Sequence, residues 1–269
     1  MANFEEYIEK FKQGKKAWNQ WRKEHSEIRP DLRAVVNASI ELIDLPWETY
    51  DLRKVILSGV RLDGTIFLNA RLQGADLSSA SLNGAYFWNA RLTGANLRNA
   101  DIVEAVFSGA NLQEADLSGS RGDLADFQAE AEWGILRPAN LRKAKLVHAY
   151  FNSANFAGCN LEKAILQGAF LNYAYFTKAI LRGADLQQTF LVGASFEGAN
   201  LEGAIFRGAV FSSRSPGWQG PEYMRMRDDP PVWRGANLRN ADFRGTDTSL
   251  LDLREADTQG ALFDRPLDG

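Results

Sequence analysis

Small and apolar residues recur along most of the chain with a strict period of five. Each unit consists of a small residue, a polar residue, a central Leu or Phe and two further residues that are mostly polar, as in Ala184-Asp185-Leu186. The period fits 38 units, of which 35 have Leu, Phe or Ile at the centre. The three runs of centres are Leu52–Phe127, Leu136–Phe211 and Leu238–Phe263. A register kept for so long indicates a repeat architecture.

The spacing within each unit predicts a short extended segment followed by a turn. The small and the central residue lie two positions apart, so an extended backbone directs both side chains to one side and the polar residue between them to the other. A helix needs an apolar spacing near 3.6 residues, which a period of five does not provide. The two polar residues after each centre also interrupt the alternation of a long strand. The pattern therefore predicts an all-β solenoid whose backbone turns after every unit.

These units resemble the pentapeptide-repeat family, and the resemblance covers roughly residues 51–269. It implies a right-handed quadrilateral β-helix with four units per coil and with the central and small residues inside. The chain supports the number four, because Phe67, Phe87, Phe107 and Phe127 recur at intervals of twenty residues. We therefore expect these rings to stack on one face of successive coils. If the coils are spaced like paired strands, the rod is roughly 45 Å long.

Two interruptions of the period predict loops. Between the centres Phe127 and Leu136 the chain has a few more residues than one unit needs, which indicates a short bulge at 128–134. A larger excursion at 212–235 contains several prolines and glycines, which are typical of a loop, together with aromatic residues such as Trp218. The sequence thus divides into an N-terminal region, 1–30, and a β-helix, 31–269, that is interrupted at these two places.

Residues 3–25 predict an amphipathic helix with an aromatic stripe. The residues at helical spacing are Phe4, Tyr7, Ile8, Phe11, Gly14, Trp18 and Trp21, with Glu and Lys around them. Because the first coil of a solenoid exposes unpaired backbone groups and apolar interior, we interpret this helix as an N-terminal cap. A helix that docks on a partner or on a membrane surface is the less favoured alternative, since the polar face mixes both charge signs.

The sequence predicts no catalytic, metal or cofactor site. The single cysteine, Cys159, takes the small-residue position of a unit, where a buried and inert thiol is expected. The two histidines, His25 and His148, lie far apart in the sequence, and His148 occupies an outward turn position. The repeat itself accounts for the many Asp residues and for the glycines at turns. We therefore expect a protein that is not an enzyme.

Charge and hydropathy bear on location and partners. No apolar run reaches the ~18 residues of a transmembrane helix, and the N-terminus is acidic where a secretory signal would be basic and then apolar. These features predict a cytoplasmic protein without a membrane partner. The formal net charge of −3 is too balanced to indicate a charged partner, so direct binding of nucleic acid is not expected.

One outer face departs from the polar pattern. The residue before each centre is expected to face solvent, but on the face that carries Phe67 it is repeatedly apolar. These apolar residues and nearby aromatic residues form a candidate protein-binding surface, which we call the outer stripe. It consists of Ile66, Tyr86, Trp88, Val106, Tyr150, Phe170, Tyr173, Phe190, Val210, Trp218 and Tyr223. Three interpretations are left open: the excursion and the N-terminal segment cover the stripe, the stripe is open to another protein, or the excursion covers it in part and leaves a smaller docking surface.

The sequence therefore predicts a non-enzymatic interaction scaffold that binds a protein partner, or forms a homodimer, through the outer stripe. The family resemblance implies an alternative, a DNA-mimicking inhibitor or protector of a type II topoisomerase. A duplex about 45 Å long carries about 26 negative charges. The chain beyond residue 50 has 25 acidic and 23 basic side chains, a net charge of only −2, which disfavours the alternative.

Overall fold

The computed structural model describes residues 4–34, 47–127, 139–213 and 229–264. Two helices open the chain, α1 at Phe4–Lys12 and α2 at Lys15–Glu24. From Trp47 onward the described residues form a solenoid in which each regular unit contributes one β-bridge residue and a turn. Within these ranges each β-strand is therefore only one bridge residue long.

The bridge residues pair in parallel with residues of the neighbouring coils, and those inside a ladder pair with the coils both before and after them. Tyr86, for example, donates its backbone N–H to the carbonyl oxygen of Thr65 at 2.9 Å, and Phe87 donates to that of Val106 at 2.7 Å. Most pairs lie twenty residues apart, which is four units, so four ladders run along the rod. The predicted quadrilateral β-helix is confirmed.

The four ladders define four faces by their bridge residues. The first face holds Asp51, Arg71, Arg91, Asn111, Asn155, Tyr175, Ser195 and Val232. The second holds Asp31, Ile56, Asp76, Asn96, Asp116, Asn140, Asn160, Ile180, Asn200, Asn237 and Asp257. The third holds Arg61, Ser81, Asp101, Arg121, Lys145, Ile165, Asp185, Ile205, Asp242 and Leu262. The fourth holds Ile66, Tyr86, Val106, Asp126, Tyr150, Phe170, Phe190 and Val210. At about 4.8 Å per step, the second ladder spans roughly 48 Å.

A left-handed residue closes the turn between two faces. After the central Phe67, the N–H of Ala70 donates to the Phe67 carbonyl oxygen at 2.9 Å, and Asn69 has a φ of 56°. Glycine adopts such a positive φ at the lowest cost and asparagine tolerates it. Gly74 takes the same position in the next unit, with a φ of 65°. The recurrent glycines therefore serve the turns.

The central residues stack in columns inside the rod. Ring centroids lie 4.7 or 4.8 Å apart in a first column, with nearly parallel planes, formed by Phe67, Phe87, Phe107, Phe127 and Phe151. A second column is formed by Phe156, Phe176, Phe196 and Trp233. The centroid spacing equals the distance between paired strands, so the twenty-residue period places equal rings directly on one another.

One centre is a glycine because its neighbours fill the interior. A Cβ added to Gly122 would lie 2.9 Å from Cγ1 of Ile102 and 3.0 Å from Cδ2 of Leu146. These distances are too short for a Cβ contact, so the coils above and below use the space that a side chain at position 122 would need.

The first interruption of the repeat leaves the register intact. Asp126 pairs with Tyr150, twenty-four residues further on, so four additional residues are accommodated between these coils. Residues 128–138, which include the predicted bulge at 128–134, lie outside the described residues.

The second interruption is shorter than the range 212–235 that the sequence assigns to it. Ser195 pairs with Val232, 37 residues further on, and Trp233 is a buried centre stacked on Phe196 at 4.5 Å. The β-helix therefore resumes at Val232. A search for Leu and Phe missed this unit because its centre is a tryptophan.

The N-terminal helical region consists of two helices instead of the single helix expected over 3–25. Gly14 lies between them with a φ of 93°, a conformation that ends a right-handed helix and that glycine adopts readily. Its predicted place on an aromatic stripe is therefore wrong, since it separates the two helices.

The apolar side of the helices covers the start of the rod. Phe11, Trp18 and Trp21 are buried in the same core as the solenoid. The ring of Phe11 lies 5.4 Å from that of Trp47, and Trp47 lies 5.3 Å from Phe67, so the cap continues into the first ring column. The interpretation of this region as an N-terminal cap is confirmed.

Polar groups of α2 pair with backbone atoms of the first coil. The buried Arg22 donates hydrogen bonds to the carbonyl oxygens of His25, Ile28 and Arg53, at 2.8, 3.1 and 2.7 Å. Trp18 Nε1 donates to the carbonyl oxygen of Asp51 at 2.8 Å. Two of these acceptors, the carbonyl groups of Asp51 and Arg53, belong to the start of the rod, so α2 is hydrogen-bonded to it.

The carboxylate of Asp51 lies at the junction between the cap and the rod. It accepts hydrogen bonds from Arg53 at 2.7 and 2.6 Å and lies 3.5 Å from Nη1 of Arg71. Burial alone would raise the pKa of Asp51. The hydrogen bonds from Arg53 and the charges of Arg71 and Arg53 outweigh burial and hold this pKa below its ordinary value.

The cap junction should weaken in acid. Because the pKa of Asp51 is lower in the folded than in the unfolded protein, its stabilisation is complete above the ordinary value of about 3.9 and is lost as the pH falls below it. Asp51→Asn should lower the free energy of unfolding by about 1–3 kcal/mol at neutral pH and by less at about pH 3. Urea unfolding at both pH values measures this. Asp257→Asn, which removes an exposed ion pair with Arg239, should cost less than about 0.5 kcal/mol. Equal losses for Asp51→Asn at both pH values would contradict the prediction.

Candidate protein-interaction surface

The fourth face carries the outer stripe as one continuous parallel ladder. Its bridge residues include Ile66, Tyr86, Val106, Tyr150, Phe170, Phe190 and Val210. The ring of Phe170 stacks between those of Tyr150 and Phe190, with centroid distances of 5.1 and 4.8 Å. Since Asp126 pairs with Tyr150 across the first interruption, the residues before and after it belong to one face. Asp126 separates the two halves.

Burial divides the stripe into two parts. Near the N-terminal end, Ile66, Tyr86 and Trp88 are exposed, with relative accessibilities of 43%, 50% and 48%. We call these three residues the open part of the stripe. Val106 and Tyr150, which follow along the same face, are half-buried.

The C-terminal part of the stripe is closed. Phe190 and Val210 are each only 7% exposed and form a cluster with the fully buried Val192, against which Phe170 and Tyr173 pack half-buried. The ring of Tyr173 lies against Gly193 of the next coil, where an added Cβ would be 2.5 Å from it.

Two members of the stripe, Trp218 and Tyr223, lie outside the described residues. The described end of the excursion meets the closed part, because Gly193 donates its N–H to the carbonyl oxygen of Asp229 at 2.8 Å. The nine described members of the stripe therefore lie along one side of the rod, but only three of them, the open part, are exposed.

The open part of the stripe borders a groove on the first face, which the sequence analysis did not identify. The groove has a volume of about 1040 Å³, and its lining includes Arg71, Gln73, Trp88 and Arg91. Trp88 stands at the turn between the fourth and the first face and so belongs to both surfaces. The sequence indicates this groove only through Arg71 and Arg91, which lie twenty residues apart and therefore on the same face. We call it the arginine groove.

The acidic residues near the C-terminal end are paired with arginines. Asp242 is buried between Arg207 and Arg244, at 2.6 and 2.9 Å. The hydrogen bond from Arg244 is the largest cause that holds the pKa of Asp242 well below its usual range; burial opposes it and Arg207 adds to it. Asp252 and Asp257 form ion pairs with Arg254 and Arg239. These carboxylates are therefore neutralised by their neighbours.

The described residues hold no group of three or more His, Cys, Asp or Glu side chains that could bind a metal ion. Cys159 is fully buried and His148 is exposed at a turn, as the repeat predicts for their positions. In the same ranges, neither helix is long and apolar enough to cross a bilayer.

A four-sided solenoid that presents side chains at fixed intervals from a regular backbone defines a repeat protein of the β-helix class. The sequence profile for pentapeptide repeats matches this chain with 8 copies, over residues 51–84, 80–119, 135–172, 174–212 and 234–265. These ranges make up about two thirds of the chain. The chain therefore belongs to the pentapeptide-repeat family, and its β-helix is right-handed.

Solved structures of the same family are similar to this chain. A trypsin-treated form of QnrB1, a plasmid-mediated fluoroquinolone resistance protein, is 22% identical, with a TM-score of 0.41 over 78% of this chain and 91% of that one. HetL, involved in heterocyst differentiation regulation in the cyanobacterium Nostoc, is 26% identical, with a TM-score of 0.36 over 80% and 85%. A pentapeptide repeat protein of the Arabidopsis thaliana thylakoid lumen is 25% identical, with a TM-score of 0.20 over 56% and 80%. No curated protein matches the chain.

Proposed function

We propose that this protein is a non-enzymatic, cytoplasmic scaffold that binds another protein through the open part of the outer stripe. The observation that supports this most directly is that Ile66, Tyr86 and Trp88, two of them aromatic, are exposed next to one another on one side of the rod. Exposed aromatic rings on a rigid backbone lose little conformational freedom on binding and bury a large area, which is why they dominate many protein interfaces.

Burial of the closed part of the stripe limits the surface that a partner could contact to the open part. Phe190 and Val210 are already removed from water, so they have little apolar area left to bury against a partner. The open part retains that area. Binding is therefore expected at the N-terminal third of the rod, and the proposed partner is another protein or a second copy of this chain.

The DNA-mimicking alternative is less supported. A mimic of duplex DNA needs a dense row of uncompensated negative charge. The acidic residues closest to such a row are Asp242, Asp247, Asp252 and Asp257. Within the described residues, all of them except Asp247 lie within 4 Å of an arginine. The resulting surface carries mixed charge, in agreement with the net charge of −3.

Site-specific photocrosslinking tests the proposal. Tyr86 is replaced by the photoreactive amino acid p-benzoylphenylalanine in cells that make the protein, and the same replacement at Tyr175 is the control. Both tyrosines are bridge residues with nearly equal exposure, 50% and 52%, but Tyr175 lies on the first face. We expect a discrete protein adduct from position 86 and none of the same mass from position 175. Its mass distinguishes a second copy from a different protein.

A second substitution tests the energetic role of the stripe. Trp88→Ser should weaken the association at position 86 at least about tenfold, as the loss of a central interface aromatic does. It should leave the free energy of unfolding nearly unchanged, because Trp88 is half exposed. Absence of any adduct from position 86, or the same adducts from both positions, would contradict the proposed function.

A further inference from the structure

The arginine groove has a chemistry that the open part of the stripe lacks. It extends over the first face and its two bordering turns, and its lining includes Asn69, Arg71, Gln73, Trp88, Arg91 and Thr93. Its lining residues all lie in the described part of the chain, and none of them is Asp or Glu. The lining therefore presents two guanidinium groups, those of Arg71 and Arg91, and no carboxylate.

Arg91 differs from the other arginines of the rod. Of the thirteen arginines described from Trp47 onward, twelve lie within 4.0 Å of a carboxylate oxygen, and Arg91 is the exception. It is exposed and lines the groove, between Arg71 and Asn111 on the ladder. Among the described arginines of the rod, Arg91 alone has no carboxylate of the chain within ion-pair distance, and it lines the groove.

Two buried polar atoms beside Arg91 also lack partners. Within the described residues, neither Nε of Arg71 nor Oε1 of Gln73 has a hydrogen-bond partner, although both atoms are buried. Arg71 reaches a carboxylate only at 3.5 Å, through Nη1 and Asp51. Leaving a buried donor or acceptor unpaired costs free energy. Five other buried side-chain atoms of the described residues are also unpaired, but only these two belong to residues that line the groove.

We propose that the arginine groove binds an Asp or Glu side chain from a segment of the protein partner, while a neighbouring apolar side chain of that segment packs on Trp88. The inference rests on the proposed function and specifies the chemistry of the partner. A carboxylate accepts two parallel hydrogen bonds from a guanidinium, and Arg91 has no internal carboxylate that competes for them. Trp88 joins this polar contact to the apolar contact on the fourth face.

The surroundings favour an acidic protein segment over a nucleic acid. Nucleic-acid interfaces are strongly positive and track a backbone with many phosphates. Here the positive charge is limited to two arginines, and the adjoining surface is apolar, with Ile66 and Tyr86 exposed. One or two carboxylates next to an apolar side chain complement this arrangement.

Selection from random short peptides displayed on phage tests the inference without knowledge of the natural partner. The full-length protein is the target, and Arg91→Gln and Arg98→Gln are parallel targets. Arg98 is the matched control, because it is an exposed arginine one unit further along the chain, at a turn outside the groove. We expect peptides with Asp or Glu beside an aromatic or aliphatic residue to be enriched on the wild type and on Arg98→Gln, and this acidic signature to disappear on Arg91→Gln.

Affinities of one enriched peptide, synthesised with a fluorophore, give the quantitative result. Arg91→Gln should weaken binding at least about tenfold, and replacing the acidic residue of the peptide by its amide should have the same effect. Arg91→Lys should recover only part of the loss, since an ammonium group cannot make the paired contact. Arg98→Gln should change the affinity less than about twofold.

Three results would overturn the inference. The first is enrichment of peptides without acidic residues, the second is an acidic signature that survives in Arg91→Gln, and the third is no enrichment at all. If purely apolar peptides are enriched and lost on Trp88→Ser, the groove inference fails while the proposed function stands. If the phage selection gives the acidic signature but the crosslink at position 86 is absent, the groove is supported and the stripe is not.

Discussion

Replacing Phe107 by alanine is expected to lower the free energy of unfolding by about 3–5 kcal/mol, the largest effect of any single substitution considered for this protein. The ring is nearly fully buried and stacks between Phe87 and Phe127 at centroid distances of 4.7 Å on both sides, with interplanar angles of 2°. Alanine would remove both contacts and leave a cavity between two rigid coils. Because the backbone ladders fix the coil spacing, the neighbours have little freedom to collapse into that space.

Urea unfolding followed by circular dichroism measures this loss. Arg98→Ala is the control, since Arg98 is exposed at a turn and its only ion pair, with Asp116, is 3.9 Å long; it should cost less than about 0.5 kcal/mol. Phe107→Leu should lie between the two, because leucine is the commonest centre of the repeat and fills most of the volume. Equal costs for Phe107→Ala and Arg98→Ala would contradict the inward and outward assignment of the unit.

Replacing Arg22 by methionine is expected to lower the free energy of unfolding by about 2–4 kcal/mol. Methionine keeps the length and much of the volume of the side chain, so the loss reports on the polar contacts. Three carbonyl oxygens, those of His25, Ile28 and Arg53, would lose the hydrogen bonds that they accept from Arg22. The guanidinium also lies about 6 Å from the ring centres of Trp18 and Trp21, contacts that methionine replaces only in part.

The cap variant should also change a local signal. Trp18 and Trp21 are buried in the wild type, so partial detachment of α2 should shift tryptophan fluorescence to longer wavelength before the β-helix unfolds. Lys23→Met is the control, because Lys23 is the exposed neighbour of Arg22 on the same helix, and it should change the stability by less than about 0.5 kcal/mol. The same loss in both variants would show that the hydrogen bonds of Arg22 are not what holds the cap.

These two substitutions test different parts of one architecture. A solenoid is stabilised by contacts between neighbouring coils, so its ends need partners that the interior coils find in each other. Phe107 represents the interior, where identical centres repeat. Arg22 represents the end, where side chains of a helix replace the missing coil. Neither the stacked interior nor the cap restricts the outward-facing side chains, which can therefore differ from face to face. A partner would be recognised through these outward-facing side chains.

The repeat could be identified from the sequence because its period is short and depends only on neighbouring residues. The distance between a small residue such as Ala75 and its centre, Leu77, is fixed by the geometry of an extended backbone, and the return after twenty residues follows from the four turns of one coil. The stacking of Phe67 on Phe87 therefore needed no knowledge of distant contacts. The unit centred on Trp233 was missed because a tryptophan replaced the usual residue type, and Gly14 was misplaced because helical spacing does not reveal a positive φ.

By itself, the sequence determined the all-β solenoid, its four faces, the columns of rings, the capping role of the N-terminal region and the continuity of the fourth face. Each of these depends on which side of a short, regular segment a residue occupies. Only the tertiary structure decided which stripe residues are open, since Tyr86 and Phe190 occupy equivalent positions of the repeat yet differ from half exposed to buried. The same is true of the arginine groove. Arg71 and Arg91 occupy equivalent positions too, and whether a carboxylate lies near each of them depends on residues from other units and coils, which the period does not specify.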